Sequence, residues 1–163
     1  MKKKFLLTTL CLSLCISSAV PTMAAKKTTN YVDWAVSIAN DDSHGYSMYN
    51  RNGKPDYDNS SFVAAALKKG GYKVSMKMYT GDEVKRLTKI GFTKIKYSKK
   101  KLKTGDILWR KGHTEIYIGK GKMVGAHCSE TGGKTGKAGD QTGKEISVTK
   151  NTNNWTYILR PSK

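Results

Sequence analysis

The chain has 163 residues, 37% of them hydrophobic, and a formal net charge of +18, which suits one domain with a core of its own and is too short for two ordinary ones. Its three cysteines exclude a dense disulfide framework. So large a positive excess draws a protein toward polyanions, but the lysines are scattered and no RNP or paired Cys/His zinc signature accompanies them, so a nucleic-acid partner is not expected.

Met1-Lys2-Lys3-Lys4 is a basic start, Phe5 to Val20 an apolar stretch and Thr22-Met23-Ala24-Ala25 a small-residue site, together the anatomy of a cleaved secretory signal over residues 1–24. The apolar stretch falls short of the ~20 residues that span a bilayer and is broken by Thr8, Thr9, Ser13, Ser17 and Ser18, so stable membrane insertion is not expected. Cys11 and Cys15 follow Leu10 and Leu14, where lipidation needs a small residue. A free, secreted, monomeric protein is expected. Loss of 24 residues leaves 139, and loss of Lys2, Lys3 and Lys4 takes the charge from +18 to +15. Cys128 is then the only cysteine, and stability must come from packing.

A polar lead-in, Ala25 to Asn30, precedes apolar residues at helical spacing from Tyr31 to Ala39. Asn40 to Asp58, rich in Gly, Asn, Asp and Ser, reads as a long loop of the kind that carries function. A second helix begins near Asn59, where the amide suits an N-cap, and stops at Gly70-Gly71 after Lys68-Lys69 at its negative end. Thr80-Gly81-Asp82-Glu83 matches a capping box, and the short helix it opens should close at Gly91. Strand-like segments follow at Ile107 to Trp109, His113 to Ile118, Met123 to His127, Ile146 to Val148 and Trp155 to Leu159, with Lys120-Gly121 as a hairpin turn. Helices ahead of short strands indicate an α+β domain over residues 25–163, its N-terminal helices packed on a mostly antiparallel sheet of about five strands.

The chemistry gathers where a helix starts, at Asp58-Asn59-Ser60-Ser61, and on two strands, one opening with His113 and the next ending in His127. A helix N-terminus lowers the pKa of a thiol and offers N–H groups to an oxyanion, and a strand-borne imidazole can serve as base. Alternation puts His113, Glu115 and Tyr117 on one face of their strand, and Gly125 and His127 on one face of the next, so His127 is placed to support His113. Gly133-Lys134-Thr135 lacks the first glycine and the strand-to-helix context of a phosphate loop and reads as a connection on the rim of a groove. No metal is expected: in a set of His113, His127 and Cys128, alternation sends the last two to opposite faces.

From about Trp34 to Arg160 the sequence resembles the NlpC-type papain-like cell-wall hydrolases, especially their bacteriophage peptidoglycan hydrolase (endolysin amidase) branch. The resemblance rests on Tyr46-Ser47-Met48-Tyr49 followed by Pro55-Asp56-Tyr57-Asp58-Asn59-Ser60-Ser61-Phe62-Val63, on Gly105-Asp106-Ile107-Leu108, on Gly112-His113-Thr114-Glu115-Ile116-Tyr117-Ile118-Gly119, on Val124-Gly125-Ala126-His127 and on Gly139-Asp140-Gln141-Thr142-Gly143 before the closing Trp155-Thr156-Tyr157-Ile158-Leu159-Arg160-Pro161. It implies a cysteine nucleophile directly after Asp58, His113 as its base and a third polar residue at or near His127. It also implies peptidoglycan as substrate, with teichoic acids as further partners for the charge. Tyr57, Asp58, Ser60, Trp109 and Glu115 are expected to bind substrate, and no cofactor is expected.

This chain departs from that pattern at the nucleophile. Asn59 has an amide nitrogen whose lone pair is delocalised and does not attack as a thiolate does. Ser60 lies roughly 100° further around the helix, and Cys128 points to the face opposite His127. Three readings stand open. One is a wall-binding protein that keeps the hydrolase scaffold without its thiol. Another is an active amidase or stem-peptide endopeptidase, either with cysteine as its natural residue 59 or with His113 and Glu115 activating water. The third, a basic membrane-active antibacterial protein, lacks the long amphipathic cationic helix it needs.

Overall fold

A computed structural model describes residues 23–162. The expected signal segment therefore lies outside the described residues, except for Met23 and Ala24, which open the first helix. In chain order the elements are α1 (Met23–Ile38), α2 (Asn59–Lys69), α3 (Thr80–Lys89), β1 (Phe92–Lys96), β2 (Ile107–Arg110), β3 (His113–Gly119), β4 (Lys122–Ala126), β5 (Ile146–Lys150) and β6 (Tyr157–Pro161), with one 3-10 turn at Lys99–Lys101. The six strands form one antiparallel sheet in the order β1-β6-β2-β3-β4-β5. This is the α+β class expected, with one strand more than the sequence suggested.

Three local expectations are corrected. The supposed lead-in Ala25 to Asn30 is helical, because Ala and Lys are strong helix formers and nothing in the segment stops a helix. The cap of α2 is Asp58 rather than Asn59: the Asp58 carboxylate accepts the Ser61 N–H at 2.7 Å while Ser61 Oγ accepts the Asp58 N–H at 2.9 Å. Asn59 is thus the first helical residue. In α3 the N-cap is Tyr79, whose N–H donates to Asp82 Oδ1 at 3.1 Å, so the capping pair sits one residue earlier than Thr80 and Glu83.

The helices cover one face of the sheet. Phe62, Val63, Ala66 and Leu67 of α2 are fully buried against Ile107, Ile116 and Val124, with α1 packed alongside through Tyr31 and Ala35. Burial of each large side chain contributes roughly 1.5–3 kcal/mol. The opposite face carries a smaller cluster of Leu108, Met123, Trp155 and Ile158, with Tyr117 against it. The hairpin between β3 and β4 turns at Lys120 and Gly121, both in the left-handed region at φ 51° and 72°, the backbone of a tight hairpin turn that matches strand twist. Arg160 of β6 makes a two-pronged ion pair to the buried Asp106, with both N–O separations 2.7 Å, and this ties the closing strand to the start of β2. That hydrogen bond also holds the Arg160 guanidinium above its ordinary pKa.

Candidate functional site

Two strand ends and one helix start converge. Because α2 packs on β3 and β4, its first residue stands beside the beginning of β3: Asn59 Nδ2 donates to the Gly112 carbonyl at 3.4 Å, one residue before His113. The helix start is held from behind. Arg51, from the long loop, forms an ion pair with Asp58 at 2.7 Å and donates to Ser60 Oγ at 2.8 Å and to the Met78 carbonyl. Ser60 Oγ donates in turn to Asp58 Oδ1 at 3.2 Å, and its side chain is buried. Its hydroxyl is therefore engaged behind the helix terminus.

On the sheet, alternation places His113 and Glu115 together as expected. His113 Nε2 and Glu115 Oε1 are 2.9 Å apart, and His127 Nδ1 approaches the same oxygen at 3.9 Å. The imidazoles do not bond to each other; their centroids are 6.1 Å apart. The partner that orients His113 is thus Glu115 and not His127, since residues two apart on a strand share a face at close range whereas His127 sits one step beyond the end of β4. Glu115 is 4% exposed, and its Oε2 has no hydrogen-bond partner among the described residues. Gly125 makes room for it, because a Cβ there would lie 2.6 Å from Glu115 Cγ. The His113 ring stacks on Trp155 at 5.7 Å and 19°, and His127 Nε2 meets the Ser147 carbonyl at 3.4 Å.

The other expected substrate contacts have different surroundings. Tyr57 is buried in the core, edge-on to Trp34 and Phe62, because its strand-like segment is pulled inward by backbone bonds to Gly45 and Ser47. Asp58 and Ser60 are buried in the Arg51 network. Trp109 is half-buried on the helix side, stacked on Tyr157 and donating its indole N–H to the Thr80 carbonyl at 2.9 Å. Among the described residues the exposed aromatics are Tyr49 and Tyr79, close in sequence to Arg51 and to Met78, whose carbonyl Arg51 holds. Arg51 and Trp155 were not expected at the site, Arg51 because nothing marks it among the polar residues of its loop and Trp155 because it reads only as the start of the closing strand.

The long loop is stitched to residues 129–145. Asp56 accepts the N–H groups of Gly45 and Gly139, each at 3.0 Å, and the buried Glu145 accepts those of Tyr46 at 2.9 Å and Gln141 at 3.0 Å. Lys134 and Thr135 serve the same seam, accepting the Met48 N–H and facing Ser47 Oγ at 3.1 Å. Burial pushes the Asp140 carboxyl upward, but N–H donors from Thr142, Ile146 and Lys144 outweigh it and hold that carboxyl below its usual range. Cys128 is free and exposed.

Residues 35–124 match the family described as Endolysin-like domain. Among solved structures, two variants of the Resuscitation Promoting Factor Interacting protein RipA align with TM-score 0.51 and 20% identity, over 82% of this chain and 63% of theirs. The peptidoglycan hydrolase RipB from Mycobacterium tuberculosis aligns with TM-score 0.50 and 19% identity, over 88% of this chain and 73% of that one. The chain thus spans less than two thirds of the RipA chains it matches, and the likeness shows a shared NlpC-type fold. No curated protein matches the sequence. No helix among the described residues is long and apolar enough to cross a membrane.

Proposed function

The chain belongs to the endolysin-like domain family, and from that premise we propose that it is a secreted protein that binds bacterial peptidoglycan on a hydrolase scaffold from which the nucleophile has been lost. The observation that carries this reading is the identity of residue 59. The helix start beside β3 is where the scaffold needs a thiolate, polarised by the helix terminus and deprotonated by a neighbouring imidazole. Asn59 supplies no such group. Ser60 is turned away and held by Arg51 and Asp58, so it does not substitute. The contacts of His113 with Glu115 and Trp155 support a groove retained around that gap.

Recognition without cleavage would use two contributions. A mature charge of +15 attracts teichoic phosphates and peptidoglycan carboxylates at long range. Close contact falls to the partly exposed His113 and His127 and to the exposed rings of Tyr49 and Tyr79. Digestion of purified peptidoglycan, read by mass spectrometry of released muropeptides, tests the reading. The native chain should release none, and Asn59→Cys should release fragments in a manner blocked by thiol alkylation and reduced at least tenfold by His113→Ala. Release by the native chain that disappears with His113→Ala would instead establish water activated by the His113–Glu115 pair.

A further inference from the structure

Glu115 is placed unusually for a carboxylate. It lies in the sheet with 4% exposure, one oxygen shared between two imidazoles and the other, Oε2, without a partner among the described residues. A buried carboxylate oxygen with no donor is costly, and a cation held beside the imidazoles through both oxygens of the carboxylate would satisfy it. One ligating atom from each of His113, Glu115 and His127 can be chosen so that all lie within 4.8 Å of one another. We propose that these three residues form a binding site for a divalent transition-metal ion of the zinc class, a site that takes the lone pair of His113 and so requires the Asn59→Cys digestion to be run on chelator-treated protein.

The geometry fits that ion. With ligands at roughly 2.0–2.1 Å from a tetrahedral zinc, neighbouring ligand atoms stand about 3.3 Å apart. The separations from Glu115 Oε1, 2.9 Å to His113 Nε2 and 3.9 Å to His127 Nδ1, bracket that value. The surroundings fit as well. His127 Nε2 lies 3.4 Å from the Ser147 carbonyl, the outer contact that fixes a tautomer and leaves Nδ1 free to ligate. Stacking on Trp155 fixes the His113 ring, and Gly125 keeps the space beside Glu115 clear. Two imidazoles and a carboxylate favour zinc, cobalt or iron over magnesium or calcium, which prefer oxygen ligands. Three protein ligands leave a fourth position for water. The expectation of no metal drew on the position of Cys128, which has no place in this set, and on ligand spacing along the chain, which the pairing of β3 with β4 overrides.

Chelator-treated full-length protein is titrated with Zn2+ against a chromophoric competitor, and with Co2+ followed by its visible absorption. One equivalent should bind with a micromolar or tighter dissociation constant, and Zn2+ should raise the melting temperature. Glu115→Gln and His127→Ala should each weaken binding at least tenfold, whereas His44→Ala and Cys128→Ser should not. His127 is partly exposed and lies beyond the end of β4, so its variant keeps the test usable if Glu115→Gln misfolds. Absence of binding at tens of micromolar, binding unchanged in both site variants, or a thiolate band lost in Cys128→Ser would each overturn the site.

Discussion

Replacing Glu83 with Gln isolates the most perturbed carboxyl among the described residues. Glu83 projects from α3 into the core, fully buried, where Oε1 accepts the Thr114 hydroxyl at 2.8 Å and Oε2 has no partner among the described residues. Burial raises its pKa from 4.5 to about 8, the Thr114 bond opposing this and the charges of Asp58 and Asp82 adding to it. Below about 4.5 both folded and unfolded chains carry the proton, and this group adds no pH dependence. Between 4.5 and about 8 the unfolded chain has lost the proton and the folded chain keeps it, so stability falls with rising pH. The limiting slope is about 1.4 kcal/mol per pH unit, and across the window the loss is on the order of 4–5 kcal/mol. Gln resembles the neutral acid in shape and does not titrate. Urea unfolding followed by tryptophan fluorescence, from about pH 5 to about pH 9, should therefore show Glu83→Gln gaining on the native protein by several kcal/mol as pH rises. Parallel curves for the two proteins over that range would refute the claim that Glu83 is held protonated.

Asp58→Ala removes the acceptor that caps α2 and the carboxylate facing Arg51. It should cost about 1–2 kcal/mol from the cap alone and more from the stranded guanidinium, while Asp58→Asn should cost less, both measured by urea unfolding. Gly125→Ala should push Glu115 off His113 and destabilise by roughly 1–3 kcal/mol, with the displacement visible as altered His113 imidazole resonances in NMR. Binding to purified Gram-positive walls should weaken steeply with salt, because attraction is screened beyond roughly 8 Å at physiological ionic strength. Removing teichoic acid should lower the low-salt component of pull-down and spare a residue of binding to bare peptidoglycan. Low-salt binding that is indifferent to teichoic acid and absent from bare peptidoglycan would remove both contributions.

Features written into neighbouring residues were legible from the sequence. The limits of α2, the Lys120-Gly121 hairpin and the shared face of His113 and Glu115 all follow from periodicity, capping and turn chemistry, which act over a few residues. β1 was not legible. Phe92–Lys96 alternates weakly and carries exposed lysines, and it is a strand because β6 pairs with it along its length. The same division runs through the site. That residue 59 is Asn and cannot act as a thiolate is a property of the side chain, fixed by the sequence. That Tyr57 turns into the core against Trp34, that Arg51 locks Asp58 and Ser60, and that His113 stacks on Trp155 were decided by how loop, helix and sheet come together in space. Such contacts depend on which faces meet when helices and sheet bury their apolar sides, and the local order of residues does not specify them.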